Sequence, residues 1–81
     1  MVTKKMISEW FDEGVANGTT HMIIVCDTFA WEDYPVFVSK DEDVNVVEAK
    51  YTGKNMQRVM EVYNLHADKE QQLTSVRAFN R

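Results

Sequence analysis

Apolar residues recur three and four positions apart through the first seventeen residues. Met6, Ile7, Trp10, Phe11, Gly14 and Val15 fall on one face at helical spacing. The spacing predicts a helix over residues 3–17, stopped at Asn17-Gly18, where a positive φ carries no steric cost. Lys4 and Lys5 stand at its start and Asp12 and Glu13 near its end. Those charges oppose the helix dipole, so the helix depends on packing.

From residue 20 the period falls to two. In residues 20–29, THMIIVCDTF, Met22, Ile24 and Cys26 take one face and Ile23, Val25 and Phe29 the other. Apolar residues on both faces predict a central strand covered on both sides. Residues 33–40, DYPVFVSK, read as a second strand, with Tyr34, Val36 and Val38 on one face and Phe37 on the other. Pro35 has no N–H to give a ladder, which makes this an edge strand. Ala30-Trp31-Glu32 joins the two as a hairpin loop of three to five residues, without the glycine of the tightest turns.

Ser39 and Glu42 have capping-box spacing. Val44, Val47 and Tyr51 follow at helical spacing, so a second helix is expected over residues 41–51. Residues 56–66 fit either period. Strand is favoured, because VMEVYNL is rich in strand formers and a hairpin alone is marginal. A second cap, Asp68 with Gln71, opens a last helix over residues 68–79 that turns Leu73, Val76 and Phe79 inward. The fold expected is α+β, a small three-stranded sheet with helices in the order α-β-β-α-β-α. The alternative is a β-hairpin packed under three helices.

Length and charge narrow the classes. The chain has 81 residues, one domain over residues 1–81, with a thin core in which each large side chain counts. A net charge of −4 argues against sequence-independent binding to nucleic acid and against anionic membranes. Cys26 is the only cysteine, so no internal disulfide and no four-cysteine zinc site can form. The start MVTKKMISEWF lacks the apolar core of a secretion signal. No run reaches a membrane span of about 18 residues. A cytoplasmic location is expected, with no cofactor.

The most distinctive stretch is DTFAWEDY, residues 27–34. Carboxylates of Asp27, Glu32 and Asp33 alternate with Phe29, Trp31 and Tyr34. Rings on a hairpin tip anchor protein contacts, since they bury area at little entropic cost; the plainer reading folds Phe29 and Trp31 back onto the core. Asp41, Glu42, Asp43 and Glu48 extend the acidic run to seven carboxylates against Lys40 alone. Such a face suits a basic partner, or is simply a solvated helix start.

Catalytic and metal readings are weaker. His21, Asp27, Asp33 and His66 show no ligand spacing. Cys26 beside Asp27, with His21 five residues back, suggests a nucleophile. Positions 21 and 26 of one strand face opposite sides, however, and an apolar strand raises a thiol pKa. Lys50, Lys54 and Arg58 around Tyr51 could touch a phosphate, or form an ordinary solvated patch.

The runs THMIIVCDTFAWEDYPVFV, NMQRVMEVYNL, KEQQL and RAFN resemble a group of short uncharacterised proteins of bacteria and their phages, over residues 7–80. The most specific pieces are Cys26-Asp27-Thr28-Phe29, Glu32-Asp33-Tyr34-Pro35 and Met60-Glu61-Val62-Tyr63. The resemblance implies a bacterial or phage accessory protein and supplies no catalytic residue. The function expected is a non-enzymatic protein-interaction module. Phe29, Trp31, Glu32, Asp33 and Tyr34 would make contact, with Asp41, Glu42 and Asp43 at the rim. Self-association into a homodimer is the competing use. A small metal- or ligand-binding enzyme built on Asp27, Asp33 and His21 is the rival class.

Overall fold

The structure, a computed structural model, describes residues 3–53 and 56–81. Helix α1 spans Lys4–Ala16, strand β1 His21–Asp27, strand β2 Glu32–Val38, helix α2 Val44–Tyr51, strand β3 Gln57–Asn64 and helix α3 Lys69–Thr74. The order is α-β-β-α-β-α. The sheet is three-stranded and antiparallel, β2-β1-β3, so β1 is central and Pro35 stands on an edge strand.

Burial follows the two-sided pattern of β1. Met22 and Ile24 point into one core with Ile7, Phe11, Tyr63, Leu65 and Ala78. Ile23 and Val25 point into another with Val38, Val44, Val47 and Val62. Helix α1 therefore covers one face and α2 the other. On the α1 side the Phe11 and Tyr63 rings meet edge to face, 6.4 Å between centroids, a favoured aromatic geometry. The buried stripe of α1 is Ile7, Phe11 and Gly14, narrower than its sequence suggests, with Met6 and Val15 exposed.

Thr3 caps α1 by accepting from Met6 N–H. Gly14 sits where a Cβ would lie 2.7 Å from Leu65 Cδ1 and 2.9 Å from Phe37 Cε1. Glycine here lets the helix axis approach the sheet.

Three of the boundaries that differ from the sequence reading have a local cause. Strand β1 ends at Asp27 and not at Phe29, because Asp27 Oδ1 accepts the N–H groups of Phe29 and Ala30 and turns the chain. Helix α2 begins at Val44. Ser39 and Glu42 do pair, through Ser39 N–H to Glu42 Oε1 and Glu42 N–H to Ser39 O, but they close a turn ahead of the helix. Asp43 is the cap and accepts from Asn45 N–H. Helix α3 stops at Thr74, where the hydroxyls of Thr74 and Ser75 both bond Gln71 O and compete with further helix. Val76 is then fully exposed and Phe79 partly so, while Leu73 packs inward. The chain beyond runs parallel to β3. Val62 N–H donates to Ala78 O and Asn80 N–H to Val62 O, both at 2.9 Å. Burial of Ala78 replaces the expected burial of Val76 and Phe79.

Candidate functional site: the hairpin tip

Strands β1 and β2 pair from His21 with Val38 at one end to Asp27 with Glu32 at the other. The loop is residues 28–31, a four-residue connection inside the expected range. Without glycine, the turn is closed by Trp31 itself, at φ 55°. A bulky residue rarely takes that left-handed conformation. Thr28 ties the loop to the start of β3, its N–H and its hydroxyl both bonding Met56 O at 2.7 Å. Met56 is left-handed as well, at φ 59°.

Three large apolar side chains stand exposed at this end of the sheet. Phe29 is 78% exposed, Trp31 67% and Met56 62%. The rings do not fold back onto the core. Met56 escapes the sequence reading because nothing in its neighbourhood signals that Thr28 brings it to the tip.

The remaining candidates separate. Glu32 is exposed beside Trp31. Asp33 is half-buried, and its carboxylate is hydrogen-bonded by the Cys26 thiol. Tyr34 faces the α2 side. Its ring packs against that core and its hydroxyl accepts from Gln57 Nε2 at 2.6 Å, so it buttresses the tip from beneath and offers little outer surface. Burial pushes its pKa up, and Tyr51 adds to the rise. Asp41, Glu42 and Asp43 follow β2. That strand carries the chain through seven residues, about 20 Å at strand rise, to the opposite end of the sheet. They lie outside any contact surface centred on Trp31. Glu42 has a depressed pKa because it accepts the Ser39 N–H.

Asp27 and Asp33 share the tip end, but His21 stands at the far end of β1, opposite Asn64. The trio proposed for a small enzyme is not assembled. Among the described residues no three His, Cys, Asp or Glu side chains converge as metal ligands. Cys26 is buried. Burial raises its thiol pKa first, the Asp33 carboxylate second, the reverse of an activated nucleophile.

Beside the tip, on the α1 face, lies a half-open cavity of about 410 Å³ lined by Cys26, Trp31, Asp33, Arg58 and Met60. Cys26 pairs with Asp33 on one side and Arg58 on the other. Paired residues share a face, so acid, thiol and guanidinium form a row across the sheet. Arg58 belongs to the expected basic patch; Lys54 lies outside the described residues. No helix among the described residues is long and apolar enough to cross a membrane. No family model, no curated protein and no solved structure matches this chain.

Proposed function

We propose that the protein is a non-enzymatic interaction module that binds another protein through its hairpin tip. Phe29 and Trp31 make the contact, Met56 extends it, and Glu32 and Asp33 border it. The observation that carries this reading is the state of Trp31. It holds a left-handed backbone and still leaves 67% of its surface in water. Local strain of about 1–3 kcal/mol persists where the surroundings or a function impose it. An exposed ring does not recover that cost inside the fold; a partner that buries the ring does. Met56 repeats the combination on the neighbouring segment. Asp27, Thr28 and the Tyr34–Gln57 bond fix the loop, so little entropy is lost when the rings are covered. The group resembled in sequence gives the reading a setting, a bacterial or phage accessory protein acting in the cytoplasm.

The test places a photo-crosslinking benzoylphenylalanine at position 29, and separately at position 46. Val46 is exposed on α2, just after its Asp43 cap and away from the tip. In extracts of cells that carry the gene, the probe at 29 should give a discrete adduct that the probe at 46 does not. Unlabelled protein should compete it away, and Trp31→Ala should compete at least about 30-fold less well, the loss of an interface hot spot worth about 2 kcal/mol. Equal adducts from both positions, or equal competition by Trp31→Ala, would exclude the tip. An adduct between two copies of the chain would identify the partner as the protein itself.

A further inference from the structure

Helix α1 does not cover the whole of its sheet face. Its core takes Met22 and Ile24 from β1, and Lys4, its first residue, stands 4.0 Å from Glu61, which pairs with Ile24. The next row toward the tip, Asp33–Cys26–Arg58, lies beyond the start of the helix. Trp31 and Met60 wall that row and leave the cavity of about 410 Å³ with Cys26 at its floor. Space of this size is at the lower end of the range of small-molecule sites, about 300–1,000 Å³, and is enough for one side chain with its peptide group.

The charges on its walls select the occupant. A lone cation would meet Arg58, and a lone anion would meet Asp33. A neutral peptide group carries one donor and one acceptor and suits both walls at once. A carboxylate offers about four lone-pair positions, so Asp33 can accept a peptide N–H in addition to the partners it already has. Arg58 is exposed and brings a guanidinium with several donors. The remaining lining, Trp31, Met60 and Cys26, suits a large apolar side chain.

Resting on the tip as the interface, we infer that this cavity seats a large apolar side chain of the partner polypeptide together with its adjoining peptide group. Asp33 accepts the peptide N–H and Arg58 donates to the peptide C=O. Trp31 is both the outer contact and the wall of the hole. The interface is then a protruding Phe29 beside a socket.

Three probes separate the parts of this proposal by NMR titration of the full chain. N-acetyl-leucinamide has side chain and peptide groups, N-acetyl-glycinamide the peptide groups alone, and isoamyl alcohol the side chain alone. The first should bind saturably at millimolar concentration and shift Cys26, Trp31, Arg58 and Met60. The other two should each bind at least about tenfold more weakly, isoamyl alcohol for want of the hydrogen bonds to charged groups and N-acetyl-glycinamide for want of the buried apolar side chain. Arg58→Met, which keeps length and removes the donors, should weaken N-acetyl-leucinamide by about tenfold. Cys26→Leu should block it by raising the floor; Met60→Trp fills the same space from the wall if the first variant loses its folded spectrum. Equal binding of the three probes, or shifts outside the cavity, would overturn the socket. So would phosphatidylcholine vesicles that shift Phe29, Trp31 and Met56 while the amides shift nothing, which would make the tip a lipid contact. If the amides fail while the position-29 adduct survives, only the socket falls. If the amides bind and the adduct fails, the socket stands and the tip interface falls.

Discussion

Trp31 is costly to the fold where it stands, and that cost can be measured. In the left-handed region a side chain loses about 1–2 kcal/mol relative to right-handed backbone, and glycine does not. Trp31→Gly should therefore leave stability to urea unchanged or raise it by up to about 1 kcal/mol, although it deletes the largest side chain on the tip. The same variant should fail to compete for the position-29 adduct. A loss of more than about 1 kcal/mol would mean that the indole holds the hairpin together, and the strain would then be structural. His21 offers a second residue-level test. Its Nδ1 lies 2.9 Å from the Thr20 hydroxyl, while Nε2 is buried with no hydrogen-bond partner among the described residues. Burial lowers its pKa, and the neighbouring His66 lowers it further. The native state thus holds His21 neutral, whereas the unfolded chain protonates it below about pH 6.5. More protons bind to the unfolded state in that window, so stability should fall as pH drops from about 6.5 toward the native pKa. His21→Leu should flatten the urea midpoint against pH below about 6.5, the unfolded-state value. An unchanged slope would assign the dependence to other groups.

At the scale of elements, the sequence announces what it must bury and conceals what tertiary pairing decides. The two-sided apolar run of β1 and the position of Pro35 are readable in advance, because burial and a missing N–H act locally. The end of α3 is not. Leu73, Val76 and Phe79 keep helical spacing, but Val62 of β3 takes Ala78 and Asn80 as backbone partners, and that pairing draws the chain out of the helix. The tip shows the same division. Its rings are visible in the sequence, whereas Met56 and Arg58 arrive only through the pairing of β3, and Asp41, Glu42 and Asp43 depart because β2 carries the chain to the far end of the sheet. Gly14 tests how closely one element lies on another. Glycine inside a helix costs about 1 kcal/mol against alanine, so a surface position would gain from any side chain. Here a Cβ meets Leu65 and Phe37 inside 3.0 Å. Gly14→Val should instead destabilise by about 1–3 kcal/mol, the cost of overpacking a core, read from the urea midpoint. A stabilised variant would show that α1 rides higher on the sheet.

The molecule as a whole is two small cores on opposite faces of one sheet, and they are not equally tied. On one face α1 and α3 hold each other: Lys69 Nζ donates to Asp12 Oδ1 at 2.8 Å and lies 5.9 Å from the centre of the Phe11 ring. Gln72 is buried between α3 and β3, exchanging hydrogen bonds with Asn64 N–H and C=O. On the other face α2 has eight residues and buries Val44 and Val47, with the Arg81–Glu48 pair at 2.6 Å joining it to the C-terminal segment. Isolated helices shorter than about 12 residues are marginal in water, so α2 depends on those two valines, on the half-buried Tyr51 ring and on one bidentate ion pair at its exposed side. Local opening should follow that imbalance. In native-state hydrogen exchange, amides of β1 and of the buried face of α1 should share the highest opening free energy, and those of α2 should exchange through a smaller opening that leaves β1 protected. Val47→Ala should lower the α2 value by about 1 kcal/mol or more and move β1 by less. One common value for α2 and β1, shifting together in Val47→Ala, would show instead that the two cores unfold as a single unit and that β1 transmits stability across the sheet. In that case a partner seated at the tip, where β1 ends and β2 begins, would raise protection in both helices alike.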